Sequence, residues 1–549
     1  PPPPPPPPLF FFKAQHAKRD SSTSRGLGDV YKRQILKILG IKDPPMNTYA
    51  ICTFRLTCAI LKKIPYMIQI ELSKALDGIA DTDNFTSEEQ VLGVSANSKE
   101  IIPGFIFVAI KGAKFDGNNF IDEAIERGAI CVISDSKDVK VTNQIIKVRN
   151  CRKVIGKISA NLYDHPHKKI KIIGVTGTNG KTSTTLILKS ILESYGKKVL
   201  QIGTLGVIPN IVNEDFGLTT PDSRDIFKIL SIAVQQKYEF AILEVSSHAL
   251  SQNRVDNIEF DFTGFTNLTL DHLDYHGTID SYFNEKKKLF GLVKDSGSSL
   301  ILNDGIYGRY ICSNFKNTNT VSFKNVDADF KCEQFNLEHD STSASFNFKG
   351  TSINISSKLV GKYNLENIIL AAAIAFEIGA DIESIKNGII SCEFIPGRYE
   401  NIINEGPGII ISDYGHTPDA YTNVLKSIKG LYENKNIKVL FGAGGNRDKS
   451  KRVEMAKAIE LFAVQCYVAP DNPRYENIDD INDDIIKGFS KHIYQVFSDR
   501  EYGLIAALAE LSSDDILIIF GKGNEEYQEI DGKKIYYSDR KIIENFYAN

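Results

Sequence analysis

Between residues 169 and 175 apolar, β-branched side chains dominate, and between 182 and 194 Leu186, Leu188, Ile191 and Leu192 recur at helical spacing. The first pattern predicts a buried strand, the second a helix packed on it. They are joined by Gly174-Val175-Thr176-Gly177-Thr178-Asn179-Gly180-Lys181-Thr182-Ser183. Strand, glycine turn and helix follow in the order a phosphate-binding loop needs. In such a turn the backbone N–H groups face phosphate oxygens, Lys181 bridges the outer phosphates and Thr182 reaches a magnesium ion. The common pattern has a glycine where this chain has Val175, so the fit is to the shorter T-G-T-N-G-K-T form. The alternative is a chance Gly-Lys-Thr in a surface turn.

The same reading finds strands at 240–245 and 260–266, a β-rich stretch at 299–360, and a helix at 364–378 leading to a linker at Pro396-Gly397. Beyond it, strands at 409–412, 437–441, 463–468 and 516–520 alternate with helical patterns, which predicts a mostly parallel, doubly wound, Rossmann-like sheet. Upstream, apolar runs at 105–110 and 129–133 flank a helical pattern at 121–127. The predicted fold class is α/β in three domains: a small one at 67–165, a central parallel-sheet one with the phosphate loop at 166–396, and a C-terminal one at 397–549. Residues 1–66 stand apart, with eight prolines, then Leu9-Phe10-Phe11-Phe12, then a polar basic stretch through Arg33. They read as a disordered or non-native extension, because octaproline resembles no secretory or transit signal.

A chain of 549 residues is too long for one hydrophobic core. With 42% hydrophobic residues, 24% charged residues and a net charge of −3, it has no electrostatic bias toward nucleic acid or an anionic membrane. The cysteines at 52, 58, 131, 151, 312, 332, 392 and 466 are scattered, which points to a reducing compartment, the cytoplasm, and against a cysteine metal site. The most apolar stretch, 48–70, is broken by Arg55, Lys62 and Lys63 and does not suit a membrane span.

Almost every unusual polar cluster falls just after a predicted strand, where open α/β sheets bind ligands. These are Glu244, residues 267–276 and 413–419, and residues 442–452, 471–474 and 521–525 after the other three C-terminal strands. The motifs Glu244-Val245-Ser246-Ser247-His248, 266–277 with Asp271-His272, Gly361-Lys362-Tyr363-Asn364, Gly397-Arg398-Tyr399-Glu400 and Asp413-Tyr414-Gly415-His416-Thr417-Pro418-Asp419 occur in that order. With the phosphate loop they resemble the Mur ligase family of ATP-dependent peptidoglycan precursor enzymes, from about residue 70 to the end.

That family joins a carboxylate to an amine through an acyl phosphate, so the resemblance implies a site built of cations and fixed dipoles. It implies ATP on Gly177, Thr178, Asn179, Gly180, Lys181, Thr182 and Ser183, with Asn364 on adenine, Arg398 on phosphates or ribose, and Asp413 on ribose. Either Asn364 or Asn367 has the alternative role of a helix cap. The implied catalytic set is Lys181, Glu244, His272, Lys286 and neighbouring Asp271, and the implied Mg²⁺ ligands are Thr182, Glu244 and His272. Glu244 has an alternative reading as a capping or surface carboxylate, but inside an apolar run it is costly to bury unpaired. The family's carbamylated lysine, which helps organise Mg²⁺, matches Lys286. Helical spacing selects the same residue, since Tyr282, Phe283, Leu289 and Phe290 lie at i−4, i−3, i+3 and i+4. Burial frees the neutral amine that CO₂ requires. The alternative is a buried, ion-pairing lysine.

By the same resemblance, Ser98, Thr219, Thr220, Ser246, Gln252 and Arg254 hold a UDP-N-acetylmuramoyl dipeptide. The first domain has drifted: Asn97-Ser98-Lys99 stands for Asp-Ser-Arg, and Ala113-Lys114-Phe115 for His-Gln-Ala. Gly415 replaces a usual alanine and Asn524 a usual histidine. The incoming amino acid is implied by Asp471-Asn472-Pro473-Arg474 with Arg447, Gly521 and Glu525, which match the family members that add meso-2,6-diaminopimelate. Diaminopimelate carries one more carboxylate than lysine, and a guanidinium grips a carboxylate with two parallel hydrogen bonds. The expectation is a monomeric ligase of small molecules, with ATP and Mg²⁺, and without nucleic-acid or membrane partners. Alternatives are a lysine-adding relative, a folylpolyglutamate synthetase-like ligase, and a non-catalytic precursor-binding protein; a nucleic-acid-binding ATPase lacks the basic stripes it needs.

Overall fold

The computed structural model describes residues 69–79, 89–112, 115–212, 214, 216–402 and 406–548. The extension read at residues 1–66 and the Ala113-Lys114 pair lie outside them.

Among the described residues, three sheets of four or more strands follow one another along the chain, with two further two-stranded sheets, Ile70–Glu71 with Gln90–Val91 and Tyr527–Ile530 with Lys533–Tyr536. The first is four-stranded and parallel, ordered Gly93–Ser95, Phe105–Ala109, Cys131–Ser134 and Ile145–Lys147. Its strands alternate between two apolar faces. Ile106, Val108 and Ile133 pack with Ile155 and Ile158, whereas Phe107, Ala109 and Val132 pack with Ile121 and Ala124.

The second sheet has ten strands, and Lys171–Thr176 lies inside it between Phe260–Phe265 and Phe240–Glu244, all parallel. Residues 299–360, read as β-rich, supply most of one flank, which ends in the antiparallel strands Phe330–Leu337, Thr342–Phe348 and Thr351–Ser357. The helices Lys181–Ser194 and Lys362–Ile378 cover one face through Ile187, Leu188, Ile191, Leu365, Ile368 and Ile369, all fully buried. Each such side chain contributes about 1.5–3 kcal/mol relative to exposure.

The third sheet is ordered Glu400–Ile402, Ile409–Asp413, Asp515–Phe520, Asn436–Phe441, Gln465–Val468 and Tyr494–Val496. Only the first pair is antiparallel. Asp515–Phe520 inserts between Ile409–Asp413 and Asn436–Phe441, so the loops after these three strands open side by side. Among the described residues no helix is long and apolar enough to cross a membrane, and the six cysteines are free thiols.

Candidate active site

The strand Lys171–Thr176 ends at Gly177, and the helix Lys181–Ser194 starts after Gly180. Both glycines have positive φ, 152° and 85°. A Cβ on Gly177 would stand 1.8 Å from Thr266 Oγ1, and one on Gly180 2.2 Å from Asn367 Oδ1. The turn is therefore clamped on two sides. Asn267 completes the clamp, accepting from Thr178 N through its carbonyl and from Asn179 N through Oδ1, both at 2.9 Å.

Lys181 folds over this loop and donates to the carbonyls of Gly177 at 3.0 Å and Thr178 at 2.8 Å. Thr182 Oγ1 donates to Glu244 Oε2 at 2.8 Å. Glu244 is fully buried yet well satisfied, accepting also from Gln201 Nε2, Thr204 N and Thr204 Oγ1 at 3.0–3.2 Å. That excludes a surface carboxylate. Its position follows from parallel register, which sets Glu244 beside Val175 at the strand ends.

Asp271 is buried beside His272, whose backbone N–H donates to Asp271 Oδ1 at 2.9 Å. Burial raises the Asp271 pKa, but Lys451 at 3.4 Å, His272 and His416 outweigh it and hold the carboxyl well below its ordinary value. Burial takes the His272 imidazole down to about 2, against the opposing pull of Asp271.

Lys286 is buried at 1% exposure, with Nζ 2.7 Å from the Gly177 carbonyl and 4.6 Å from the Tyr282 ring centre. It forms no ion pair among the described residues. Burial, reinforced by the Lys181 charge, lowers its pKa well below 10.5. The α-helix ends at Lys286, and Lys287–Leu292 is a tighter 3₁₀ segment. The i+3 and i+4 spacing to Leu289 and Phe290 is thus not α-helical, although both are buried as expected.

A cavity of about 240 Å³ joins the phosphate loop, Glu244, Asp271 and His272 to the C-terminal sheet, while Lys286 is buried outside its lining. Its lining includes Thr178, Asn179, Gly180, Lys181, Thr182, Thr219, Glu244, Ser246, Asp271, His272, Arg398, Arg447, Asp471, Asn472, Arg474, Gly521 and Glu525. Most of the sequence-derived set therefore converges. A larger depression at the opposite ends of the central strands, about 690 Å³ and walled by Lys168, Lys169, Lys171, Lys197, Lys237 and Lys294, shares none of them.

Ser183 is buried in the first turn of the loop helix. Thr220 is buried below the cavity, donating to the Glu244 carbonyl at 2.8 Å and lying 3.2 Å from Ser246 Oγ. Arg254 donates to the Thr220 carbonyl at 2.7 Å and to Gln252 Oε1 at 2.8 Å. Asn364 does not cap its helix: Nδ2 donates to the Val360 carbonyl at 2.8 Å, and Oδ1 is buried without a hydrogen-bond partner. Asp413 accepts from Tyr399 N and Gly415 N at 2.8 and 2.6 Å. Burial raises its pKa against the pull of Arg398, which lies 4.6 Å from the Tyr414 ring centre. Ser98 is not brought to this cavity; it is buried and donates to Glu123 Oε2 at 2.9 Å.

In the C-terminal sheet, Arg474 has a left-handed backbone (φ 55°), donates Nε to Glu529 at 3.0 Å and Nη1 to the Gly445 carbonyl at 2.9 Å. Asn472 Nδ2 donates to Glu525 Oε2 at 3.1 Å. Pro473 is buried in the turn, and a Cβ on Gly445 would stand 1.9 Å from its carbonyl oxygen. Burial raises Asp471, but Lys522 and Arg500 outweigh it and lower its pKa.

Sequence reasoning missed Thr204, Tyr414, His416 and Lys451, all of which line the cavity, and Arg452 and Lys522 behind it. Thr204 follows the strand Val199–Gly203, so the strand-end rule would have found it. Tyr414, His416, Lys451, Arg452 and Lys522 sit inside clusters recognised from sequence, and only their contacts reveal their place.

The description "Mur ligase middle domain" matches residues 175–375, "Mur ligase, glutamate ligase domain" matches 397–523, and "Mur ligase family, catalytic domain" matches 90–163. UDP-N-acetylmuramoyl-L-alanyl-D-glutamate–2,6-diaminopimelate ligase of Fusobacterium nucleatum is 37% identical over 455 residues, 82% of this chain and 92% of the relative. A solved structure of a ligase of that name superposes with a TM-score of 0.61 at 27% identity, over 88% of this chain and 99% of that one. MurF ligase from Thermotoga maritima in complex with ADP shares the fold, with a TM-score of 0.56 at 21% identity, over 78% and 93%. The chain belongs to the Mur ligase family.

Proposed function

We propose that this enzyme adds meso-2,6-diaminopimelate to the D-glutamate carboxylate of UDP-N-acetylmuramoyl-L-alanyl-D-glutamate, at the expense of ATP. The observation that carries the reading is the single cavity in which Lys181 and Thr182 face Arg447, Asp471, Arg474 and Glu525. A phosphate-binding end and an amino-acid-binding end of opposite design meet there. The first sheet, in a region of family likeness at 90–163, argues against a folylpolyglutamate synthetase-like reading, which has no use for a uridine-binding domain. The buried, satisfied Glu244 argues against a mere binder.

In this reading the Lys181 ammonium and the loop amides hold the ATP phosphates while a substrate carboxylate oxygen attacks the γ-phosphorus and ADP leaves. The neutral amine then attacks the acyl carbon and gives up a proton, which leaves with the phosphate that carries away one oxygen of the former carboxylate. Arg398 and Lys181 meet the negative charge that builds up. Asp271, held ionised, is placed beside the amino-acid end to attract the ammonium of the nucleophile. Arg474 and Arg447 grip the distal carboxylate of diaminopimelate, while Asp471 and Glu525 receive its distal ammonium.

The donors fit a magnesium ion: Thr182 Oγ1 and Glu244 Oε2 lie 2.8 Å apart, and Mg²⁺ is held by one or two carboxylates with phosphates and waters rather than by an all-protein cage. No cluster of three His, Cys, Asp or Glu among the described residues makes such a cage. Thr182, Glu244 and His272 would hold it, where it neutralises phosphate charge. Lys286, whose pKa burial lowers, is proposed to add CO₂ through the neutral form of Nζ with loss of a proton, giving a carbamate that joins this set. The free cysteines fit a reducing cytoplasm.

Substrate labelled with ¹⁸O in the D-glutamate carboxylate tests the acyl phosphate. One ¹⁸O should appear in each phosphate released, and unlabelled phosphate would exclude that intermediate.

A further inference from the structure

Lys522 is fully buried, with 0% exposure, behind Asp471, Asn472 and Glu525, which line the cavity. Its ammonium donates to Asn472 Oδ1 at 2.6 Å and to the Tyr527 carbonyl at 2.7 Å, and pairs with Asp471 at 3.3 Å and Glu525 at 3.5 Å. A buried ammonium persists only when several partners repay its desolvation, and these partners are mainly groups assigned to the amino acid.

Two consequences follow from that placement. The first is orientation. Asn472 Oδ1 accepts from Lys522 and from Glu529 N at 2.9 Å, which turns Nδ2 toward Glu525. Glu529 in turn holds Arg474 Nε, so the lysine, the carboxamide and the guanidinium form one chain of contacts. The second is charge. Asp471 and Glu525 together carry two negative charges, and Lys522 cancels one, leaving about a unit to meet the ligand's distal ammonium beside the guanidinium that meets its carboxylate.

We infer that Lys522 is a positioning and specificity-determining residue for the incoming amino acid, tuning the pocket to an ammonium–carboxylate end rather than to an ammonium alone. Without its charge the pocket becomes one unit more negative and favours a cationic end such as that of lysine over the net-neutral end of diaminopimelate. The inference rests on the diaminopimelate assignment proposed above.

The test is steady-state kinetics of Lys522→Met and of Lys522→Gln, the latter dropping the charge while keeping an amide donor. The expected result is a KM for diaminopimelate raised at least about tenfold, KM values for ATP and the UDP-dipeptide within about twofold of wild type, and a diaminopimelate-to-lysine kcat/KM ratio lowered at least about tenfold. An unchanged ratio in either folded variant overturns the inference. So does loss of soluble protein in both variants when the residual enzyme keeps the wild-type ratio, which would assign Lys522 to folding alone. A wild-type enzyme that turns over no diaminopimelate overturns the substrate assignment instead, and the variants are then judged on the amino acid it does accept.

Discussion

Asn179 Nδ2 donates to Asp419 Oδ2 at 3.2 Å, tying the phosphate loop to the first turn of the helix Pro418–Leu431. Lys451 and His416, both near Asp271, add polar ties between the central and C-terminal sheets at the cavity. The loop proposed to hold ATP and the sheet proposed to hold the amino acid therefore share a joint.

Asp419→Ala should release the loop from that joint. Loss of one hydrogen bond worth about 1 kcal/mol should raise the KM for ATP about fivefold while leaving the KM for the amino acid unchanged. Steady-state kinetics with each substrate varied in turn will show whether the effect is confined to ATP.

Glu244→Gln removes the charge opposite Thr182 while keeping the carboxamide's shape. Phosphate release should fall by about 10²–10³, with a higher Mg²⁺ concentration needed for half-maximal rate. A magnesium titration that superposes on wild type after scaling would remove Glu244 from the metal site.

Lys286→Ala should be nearly inactive and partly recover with added short carboxylates, which replace the missing carbamate oxygens. The readout is phosphate release with and without acetate or formate.

Arg474→Ala should cost about 2–5 kcal/mol in diaminopimelate kcat/KM, a loss of at least about thirtyfold. Its partners Glu529 and Gly445 belong to the pocket wall, so thermal unfolding of the variant should be followed in parallel.

Acid sensitivity should centre on Glu476, which accepts from Arg452 at 2.8 and 2.9 Å and from Asn446 N at 3.0 Å. The Arg452 bonds hold its pKa down to about 2 from 4.5. A carboxyl lowered in the folded state stabilises it above the unfolded pKa, and that stability is lost as pH falls through the folded value. The gap in urea midpoint between wild type and Glu476→Gln should be full above about pH 5 and close toward pH 2; a gap independent of pH contradicts the assignment.

Much of this was legible in the chain because each strand of the central and C-terminal sheets that borders the site is a short apolar run ending in a polar cluster. Glu244 and Asp413 are the last residues of their strands, so reading the strand also placed the carboxylate. Lys286 was found although its helix tightens to 3₁₀ at the next residue, because the aromatic neighbours on its N-terminal side, Tyr282 and Phe283, suffice to bury it. What stayed hidden depends on distances across the chain. Nothing local marks Lys522 as buried against Asp471 and Asn472, about fifty residues before it in sequence, and nothing local shows that the Ser98 hydroxyl is spent on Glu123.

The most direct test supplies the purified enzyme with UDP-N-acetylmuramoyl-L-alanyl-D-glutamate, ATP and Mg²⁺, offers amino acids one at a time, and follows phosphate release. Release that depends on meso-diaminopimelate, with kcat/KM for lysine lower by at least about thirtyfold, is the predicted result. Equal kcat/KM for lysine and diaminopimelate, or release indifferent to any amino acid, would contradict it.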